Sequence, residues 1–98
     1  MIAITDVERE IILDIIKKHA PHCEVIAFGS RATGVHKETS DLDLAIKGDV
    51  NFKTLCEMKE DLMESDLVFR VDIVDYGKVS DNFKAIIDEA FEVLYNPE

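Results

Sequence analysis

Residues 28–46 read FGSRATGVHKETSDLDLAI, and the rest of the chain is organised around this stretch. It begins where an apolar run meets Gly29-Ser30, and it ends in an alternating run over residues 41–46. The apolar run is typical of a buried central strand, and the alternating run is typical of a strand with one buried face. The sequence therefore predicts two strands joined by a glycine-containing turn and a loop.

Two aspartates lie on the polar side of the second of these strands. Successive side chains of a strand point to opposite faces, so Asp41 and Asp43 share one face and the aliphatic residues share the other. At a rise of about 3.3 Å per residue the two carboxylates lie about 6.6 Å apart and repel each other. A cation bound between them would turn that repulsion into binding energy.

Length and charge limit the classes of protein. The chain has 98 residues, which predicts one small domain over residues 1–98. A net charge of −10 disfavours direct nucleic-acid binding and favours divalent cations and basic protein partners. The sequence shows neither an apolar run of roughly 18 residues nor a signal peptide, so we expect a cytoplasmic protein without a membrane segment. Cys23 and Cys56 are then expected to be small buried hydrophobic residues.

Hydrophobic periodicity and capping signals divide the chain into successive helices and strands. They are a helix over Asp6–His19, a strand over Glu24–Phe28, a helical turn over 30–33, a strand over 41–47, a helix over Phe52–Glu64, a strand over 69–75 and a helix over 81–95. We predict an α/β (α+β) fold, namely a small mixed sheet of three to four strands with helices packed on one face. The other face is then partly open, and the aspartates can lie on it.

The turn after the first strand has the features of a phosphate site. Gly29 has no Cβ and lets a ligand approach the backbone, and Ser30 with the free N–H groups of the helical turn can bind an anion. Gly29 and Gly34 have P-loop spacing, but the Lys and Ser or Thr that complete a P-loop do not follow them. A triphosphate at this turn would face Mg²⁺ at the aspartate pair if the two strands run antiparallel.

A third aspartate completes the predicted catalytic and metal-binding group. Asp72 lies in the strand over 69–75, on the face opposite to Asp75. Asp41 and Asp43 would bridge two Mg²⁺ ions, and Asp72 would hold the ion on the attacking side and take the proton from the acceptor hydroxyl. The predicted reaction is nucleotidyl transfer, in which a hydroxyl attacks the α-phosphate of a nucleoside triphosphate and pyrophosphate leaves.

These residues resemble the DNA polymerase β-type nucleotidyltransferase superfamily, and most of all its minimal nucleotidyltransferase (MNT) group. The family pattern is a Gly-Ser, a helical turn, a loop, Ser-Asp-x-Asp-Leu and a third Asp on a later strand. The matching residues here are Gly29-Ser30, Ser40-Asp41-Leu42-Asp43-Leu44 and Asp72. The resemblance covers nearly the whole chain in element order, and it implies the nucleotidyltransferase fold.

The resemblance also implies which residues contact the nucleotide. They are Gly29, Ser30, Arg31, Ser40 and Lys47. Thr33 stands where many relatives carry a second Arg, so part of the triphosphate contact would fall to Arg31 or Lys47. Lys47 shares the aspartate face by alternation.

The resemblance further implies a protein partner. MNT proteins of this kind are similar to the antitoxin half of two-protein modules, whose other half is a small helical HEPN ribonuclease toxin. In that family the antitoxin transfers AMP from ATP to a tyrosine of the toxin. Other relatives carry further domains that bind the acceptor, whereas this chain is expected to comprise the catalytic core alone. The acceptor is therefore expected to come with the partner, in a homo- or hetero-oligomer.

Each of these assignments has a plainer alternative. The aspartate pair could be a solvated strand face, Ser30 a helix cap, Arg31 a solvated arginine and Lys47 a neutralising charge. Two other functions also stay open. One is a non-catalytic antitoxin that binds and blocks a partner, and the other is a small-molecule nucleotidyltransferase completed by dimerisation. The three aspartates and the Gly-Ser turn favour the enzyme, because a pure binding protein does not need them.

Overall fold

The computed structural model describes residues 2–33 and 41–97, and for Ser30 and Thr33 it describes the backbone only. The elements are α1 (Asp6–His19), β1 (Glu24–Phe28), α2 (Ser30–Thr33), β2 (Leu42–Lys47), α3 (Phe52–Glu64), β3 (Val71–Asp75), a 3₁₀ turn (Tyr76–Lys78), α4 (Asp81–Glu89) and β4 (Phe91–Tyr95). The bounds of α1, β1 and α3 are those predicted from the sequence. Among the described helices, none has the length and apolar character that crossing a membrane requires.

The described strands form a sheet in the order β3-β2-β1-β4. β1 pairs antiparallel with both β2 and β4, whereas β2 pairs parallel with β3. The sheet is therefore mixed and four-stranded, within the predicted range. Because β1 and β2 run antiparallel, the turn after β1 lies beside the start of β2. Because β2 and β3 run parallel, their first residues meet at that same end of the sheet.

The larger core lies between the sheet and the two long helices, α1 and α3. The three aliphatic residues of β2 that were predicted to share a face are all buried in it, namely Leu42, Leu44 and Ile46. A capping box between Thr5 and Glu8 starts α1. The end of α1 is joined to α3 by His19 Nε2 and Asp61 Oδ2, which lie 2.6 Å apart. The predicted alternation of β2 is confirmed, and Asp43 faces away from this core.

The second face of the sheet is covered in part by α4. Ile26 and Phe28 of β1 pack there with Ala45 of β2 and Ile87 of α4. The rings of Phe28 and Phe83 meet edge to face, with 5.7 Å between their centroids. The expected packing of helices on one face holds for α1 and α3, whereas α4 lies on the face that carries Asp43. The apolar centre of that face needs cover from water, and the amphipathic α4 supplies it.

The C-terminal helix ends earlier than predicted. The periodicity favours a helix through residue 95, but α4 ends at Glu89, Ala90 is extended and β4 follows. Residues 91–95 are rich in aromatic and branched side chains, and they form an antiparallel ladder with β1. The pairing of residues 91–95 with the otherwise unpaired edge of β1 outweighs the helical periodicity of these residues.

Part of the predicted core of α3 is exposed. The stripe of α3 that is buried consists of Leu55, Met58 and Leu62. The helical periodicity of the sequence predicts that Phe52, Cys56 and Met63 share one apolar face with Leu55 and Leu62, but all three are exposed. A helix buries a limited angular stripe, and the three exposed residues lie beside that stripe rather than within it. Cys23 is buried as expected.

Candidate active site

Asp43 and Asp72 lie side by side on the sheet face that α4 partly covers. They are register partners in the parallel pair of β2 and β3, and neighbouring strands are about 4.8 Å apart. Asp75 lies on the opposite face, where its carboxylate accepts a 3.0 Å hydrogen bond from the N–H of Gly77. The fold therefore brings two of the three predicted carboxylates together and separates Asp75 from them.

Asp41 lies directly before β2 rather than within it, and it is exposed. Its negative charge nevertheless contributes to the raised pKa of Asp43, so the two groups are within electrostatic reach. Asp72 forms an ion pair with Arg70, with 3.3 Å between Oδ1 and Nε. That pair is exposed to solvent, so the replacement of Arg70 by another cation at Asp72 costs little free energy.

Asp43 is half-buried, and its surroundings disfavour the ionised carboxylate. Burial is the largest cause that raises the pKa of Asp43, and the charges of Asp72 and Asp41 raise it further. A protein that keeps such a group loses some stability by it. Perturbed carboxylates of this kind are typical of functional sites, and a bound cation would offset the repulsion between the charges.

Gly29 packs directly against Asp43. Its φ is +78°, and a Cβ at this position would lie 2.5 Å from Oδ2 of Asp43. Only glycine permits this backbone conformation and this approach together. The turn after β1 and the aspartates therefore share one corner of the molecule. Ser40 and the side chain of Ser30, which were predicted to contact the nucleotide here, lie outside the described part of the structure.

The carboxylates suit magnesium by their chemistry but are not arranged in advance around an ion. Within residues 2–33 and 41–97, no group of three His, Cys, Asp or Glu side chains is placed to hold a metal. Mg²⁺ in nucleotide sites takes one or two protein carboxylates together with phosphate oxygens and water. Asp43 and Asp72 fit that donor set, and the charge of Asp41 acts on Asp43 from beside it.

Arg31 lies in the interior rather than at the surface. Its side chain is 5% exposed, and Nη1 donates a 2.8 Å hydrogen bond to the carbonyl oxygen of Ala3. The guanidinium also stacks on Phe69, with 4.1 Å between Cζ and the ring centroid. The alternative of a solvated arginine is therefore wrong. The predicted nucleotide contact of Arg31 stays a prediction, because the described contacts tie it to the N-terminal segment and the core.

Arg31→Met is expected to lower the free energy of unfolding by about 1–3 kcal/mol. The substitution removes the charged hydrogen bond to Ala3 and the cation–π contact while keeping an unbranched side chain. Urea unfolding checks this, with Lys17→Met at an exposed position of α1 as the matched loss of one cation. A stability equal to that of the control, combined with loss of nucleotide binding, would show that Arg31 contacts the nucleotide instead.

Lys47 lies at the other end of β2 from the aspartates. Lys47 is four positions along the strand from Asp43, which is about 13 Å. Its Nζ lies over the ring of Tyr76, 4.5 Å from the centroid, and 5.4 Å from that of Phe91. The alternation of β2 correctly predicted that Lys47 shares a face with Asp43. Alternation does not show, however, at which end of the strand a residue lies. The structure does not bring Lys47 to the aspartates.

Two hollows meet at Asp43. The smaller, of about 480 Å³, is lined by Gly29, Asp43 and the C-terminal end of α4. The larger, of about 960 Å³, is lined by Asp43, Asp72 and apolar side chains that include Phe28 and Phe83. The sequence did not predict these linings, because Phe28 and Phe83 have the pattern of ordinary core residues. The one available signal was that Phe28 lies immediately before the Gly-Ser turn.

Comparison with known proteins supports the interpretation of the chain as a nucleotidyltransferase. Residues 10–98 match the family described as Polymerase beta, Nucleotidyltransferase. The probable protein adenylyltransferase MntA of Haemophilus influenzae is 39% identical over 93 residues, which are 93% of this chain and 82% of that protein.

Solved structures share the fold at lower sequence identity. A crystal structure of a toxin–antitoxin with AMP-PNP superposes with a TM-score of 0.72 at 22% identity, over 90% of this chain and 73% of that chain. A tri-AMPylated HEPN toxin from Shewanella oneidensis in complex with an MNT antitoxin gives 0.68 at 18% identity, over 92% and 71% of the two chains. On the family match and the close relative together, the chain belongs to the polymerase beta-type nucleotidyltransferases.

Proposed function

We propose that this chain is an Mg²⁺-dependent adenylyltransferase that transfers AMP from ATP to a hydroxyl of a HEPN-type toxin and so acts as its antitoxin. The observation that carries the proposal is the pairing of Asp43 with Asp72 beside Gly29. It occurs in a chain that is 39% identical to a protein named as a probable protein adenylyltransferase. The HEPN toxin in a structural relative supports the class of partner.

The turn after β1 binds the phosphates of ATP in this proposal. Gly29 keeps the corner free of a Cβ, so a phosphate can reach the backbone of Gly29-Ser30 and the start of α2. The hydroxyls of Ser30 and Ser40 add hydrogen-bond donors, as their places in the family motif imply. The antiparallel pairing of β1 with β2 sets this turn beside Asp43.

The three aspartates form the metal-binding and catalytic end of the site. Asp41, Asp43 and Asp72 hold Mg²⁺, for which we propose two ions, through carboxylate oxygens. Bound Mg²⁺ supplies positive charge that offsets the charge of the phosphates and lowers the pKa of the acceptor hydroxyl. Asp72 receives the proton as the hydroxyl oxygen bonds to the α-phosphorus. The bond from that phosphorus to the leaving pyrophosphate breaks in the same exchange, which leaves AMP on the acceptor.

The two alternative functions fit the site less well. A non-catalytic antitoxin has no reason to keep Asp43 half-buried beside two other carboxylates, which lowers its stability. A nucleotidyltransferase for a small polar molecule needs hydrogen-bonding groups around its acceptor. The hollow beside Asp72 is lined mainly by apolar side chains instead.

Intact mass spectrometry of a HEPN-type partner, incubated with this chain, Mg²⁺ and ATP, is expected to show a gain of one or more AMP units. Asp41→Asn/Asp43→Asn is expected to abolish the gain. The matched control is Asp14→Asn/Glu60→Gln, which removes the same two charges from exposed positions of α1 and α3 and should transfer AMP normally.

The failures of this experiment have different meanings. A tight complex with the partner but no mass gain would contradict transfer and favour the non-catalytic antitoxin. A mass gain that survives in Asp41→Asn/Asp43→Asn would contradict the assigned site while leaving the activity standing.

A further inference from the structure

The short segment that precedes α1 is fixed on both sides. Ile2 is 4% exposed and lies in the larger core, and Ile4 packs against that core. Thr5 then starts α1 through its reciprocal capping box with Glu8. Ala3 lies between these anchored residues, so its backbone N–H and carbonyl group have a defined position from which they can hold another part of the chain.

Ala3 holds Arg31 by two hydrogen bonds. The N–H of Ala3 donates to the carbonyl oxygen of Arg31 at 2.9 Å, and Nη1 of Arg31 donates to the carbonyl oxygen of Ala3 at 2.8 Å. In the next residue, the N–H of Ala32 donates to the carbonyl oxygen of Gly29 at 3.1 Å. The backbone that follows Gly29, where the phosphates of ATP bind in the proposed function, is therefore held by the segment before α1.

The guanidinium of Arg31 also reaches the segment that leads into β3. It stacks on the ring of Phe69, at 4.1 Å from the centroid, and Phe69 is 8% exposed. The residue after Phe69, Arg70, accepts a 2.8 Å hydrogen bond at its carbonyl oxygen from the N–H of Leu42, the first residue of β2. Arg31 therefore connects the phosphate turn with the end of the sheet at which the aspartates lie.

An arginine at this place has a cost that packing alone does not explain. Moving a guanidinium out of water disfavours the fold unless other groups replace the water, and an aliphatic side chain would fill space without that cost. What the planar guanidinium adds is direction, because its donors and its flat face fix it relative to a carbonyl group and a ring at once. This rigidity suits a residue that sets the position of neighbouring backbone.

We propose that Ala3 and Arg31 are positioning residues for the phosphate turn, and that they set the distance between the backbone at Gly29 and the carboxylates of the site. Arg31 acts from behind the turn, through its hydrogen bonds with Ala3 and its contact with Phe69, and the backbone of the turn contacts the phosphates. This inference rests on the proposed function and adds to it the residues that hold the phosphate-binding backbone in place.

A double-mutant cycle on nucleotide binding tests the proposal. Ala3→Pro removes the N–H that donates to Arg31, and Arg31→Met removes the guanidinium while keeping an unbranched side chain. Calorimetry on the full chain measures the binding of a non-hydrolysable ATP analogue with Mg²⁺, at a temperature at which circular dichroism shows every variant to be folded. Each single variant is expected to raise Kd about 10-fold, because a displaced turn binds phosphate less well. The double variant is expected to raise Kd by about the same factor, since both substitutions break one linkage.

Two controls separate positioning from a loss of stability. Asp6→Pro places the same ring at the first residue of α1, where proline is tolerated, and it is expected to bind like the wild type. Gly48→Ala destabilises the chain at a positive φ of +133° and is also expected to keep the wild-type Kd. In the transfer assay, Arg31→Met should raise KM for ATP while KM for the partner changes less than about twofold. If Ala3→Pro does not fold, Phe69→Leu takes its place in the cycle, because it removes the ring and keeps an apolar side chain.

Each other outcome overturns the assignment in a distinguishable way. An unchanged Kd in both folded single variants shows a purely structural contact and leaves the proposed function standing. A rise confined to Arg31→Met, or a rise of about 100-fold in the double variant, shows that Arg31 contacts the phosphates itself. An equal rise in Gly48→Ala shows that lost stability rather than position is responsible. Absence of nucleotide binding by the wild type overturns the proposed function, and this inference with it.

Discussion

Asp43→Asn is expected to reduce AMP transfer by at least about 10³-fold and to make the nucleotide-free chain more stable. The loss of activity follows from removing the carboxylate that lies between Asp72 and the Gly29 turn. The gain in stability follows because burial raises the pKa of Asp43, and the negative charges of Asp72 and Asp41 raise it further. Added Mg²⁺ and ATP should stabilise the wild type by linkage and should no longer stabilise the variant.

The gain in stability has a definite pH dependence. A carboxyl whose folded pKa is raised binds more protons in the folded state, so it stabilises the fold as the pH falls and destabilises it as the pH rises. The difference between Asp43→Asn and the wild type should be absent below the ordinary Asp pKa of about 3.9 and complete above the raised pKa. Urea unfolding over that range checks this, with Asp14→Asn as control. A variant less stable than the wild type at pH 7 would contradict the account.

Gly29→Ala is expected to lower the free energy of unfolding by about 1–2 kcal/mol and to reduce transfer by about 10²-fold. The stability loss comes from the positive φ of +78°. The activity loss comes from the new Cβ, which would meet Oδ2 of Asp43 at 2.5 Å and displace the carboxylate. Chemical unfolding and the transfer assay measure the two effects separately.

Gly48→Ala is the matched control for this prediction. Gly48 also has a positive φ, of +133°, and its Cβ would lie 2.9 Å from Sγ of Cys23, away from the aspartates. Both variants should be destabilised, but only Gly29→Ala should lose transfer under conditions in which both are folded. Equal activities of the two folded variants would show that the close approach of Gly29 to Asp43 has no part in the reaction.

The sequence was most informative where one local pattern decides the outcome. The alternation of residues 41–46 correctly put the aliphatic side chains of β2 in the core and Asp43 on the other face. The alternation of residues 69–75 likewise separated Asp72 from Asp75. No pattern in the sequence contains the register between β2 and β3, which sets Asp43 level with Asp72. Nor does any pattern show that Lys47 lies at the other end of β2 from the aspartates.

The errors arose where tertiary contacts override local preference. Residues 91–95 continue a helical stripe, yet they pair with β1, whose edge would otherwise be bare. α4 lies on the aspartate face because Phe28 and Ile26 need cover there. Arg31 is charged, which suggested the surface or a phosphate. A carbonyl group of the N-terminal segment and the ring of Phe69 instead hold it in the interior.

The most direct test of the central claim is to locate the bound metal and nucleotide without relying on activity. The amide NMR spectrum of the chain would be recorded with a non-hydrolysable ATP analogue and then with Mn²⁺ in place of Mg²⁺, because Mn²⁺ broadens signals near it. As Mn²⁺ is added in steps below one equivalent, we expect the signals of Gly29, Asp43 and Asp72 to weaken first, and those of Lys47 and Tyr76 at the opposite strand ends to weaken least. Broadening centred on Lys47 and Tyr76, with the Asp43 and Asp72 signals intact, would contradict the assignment of this corner as the nucleotide site.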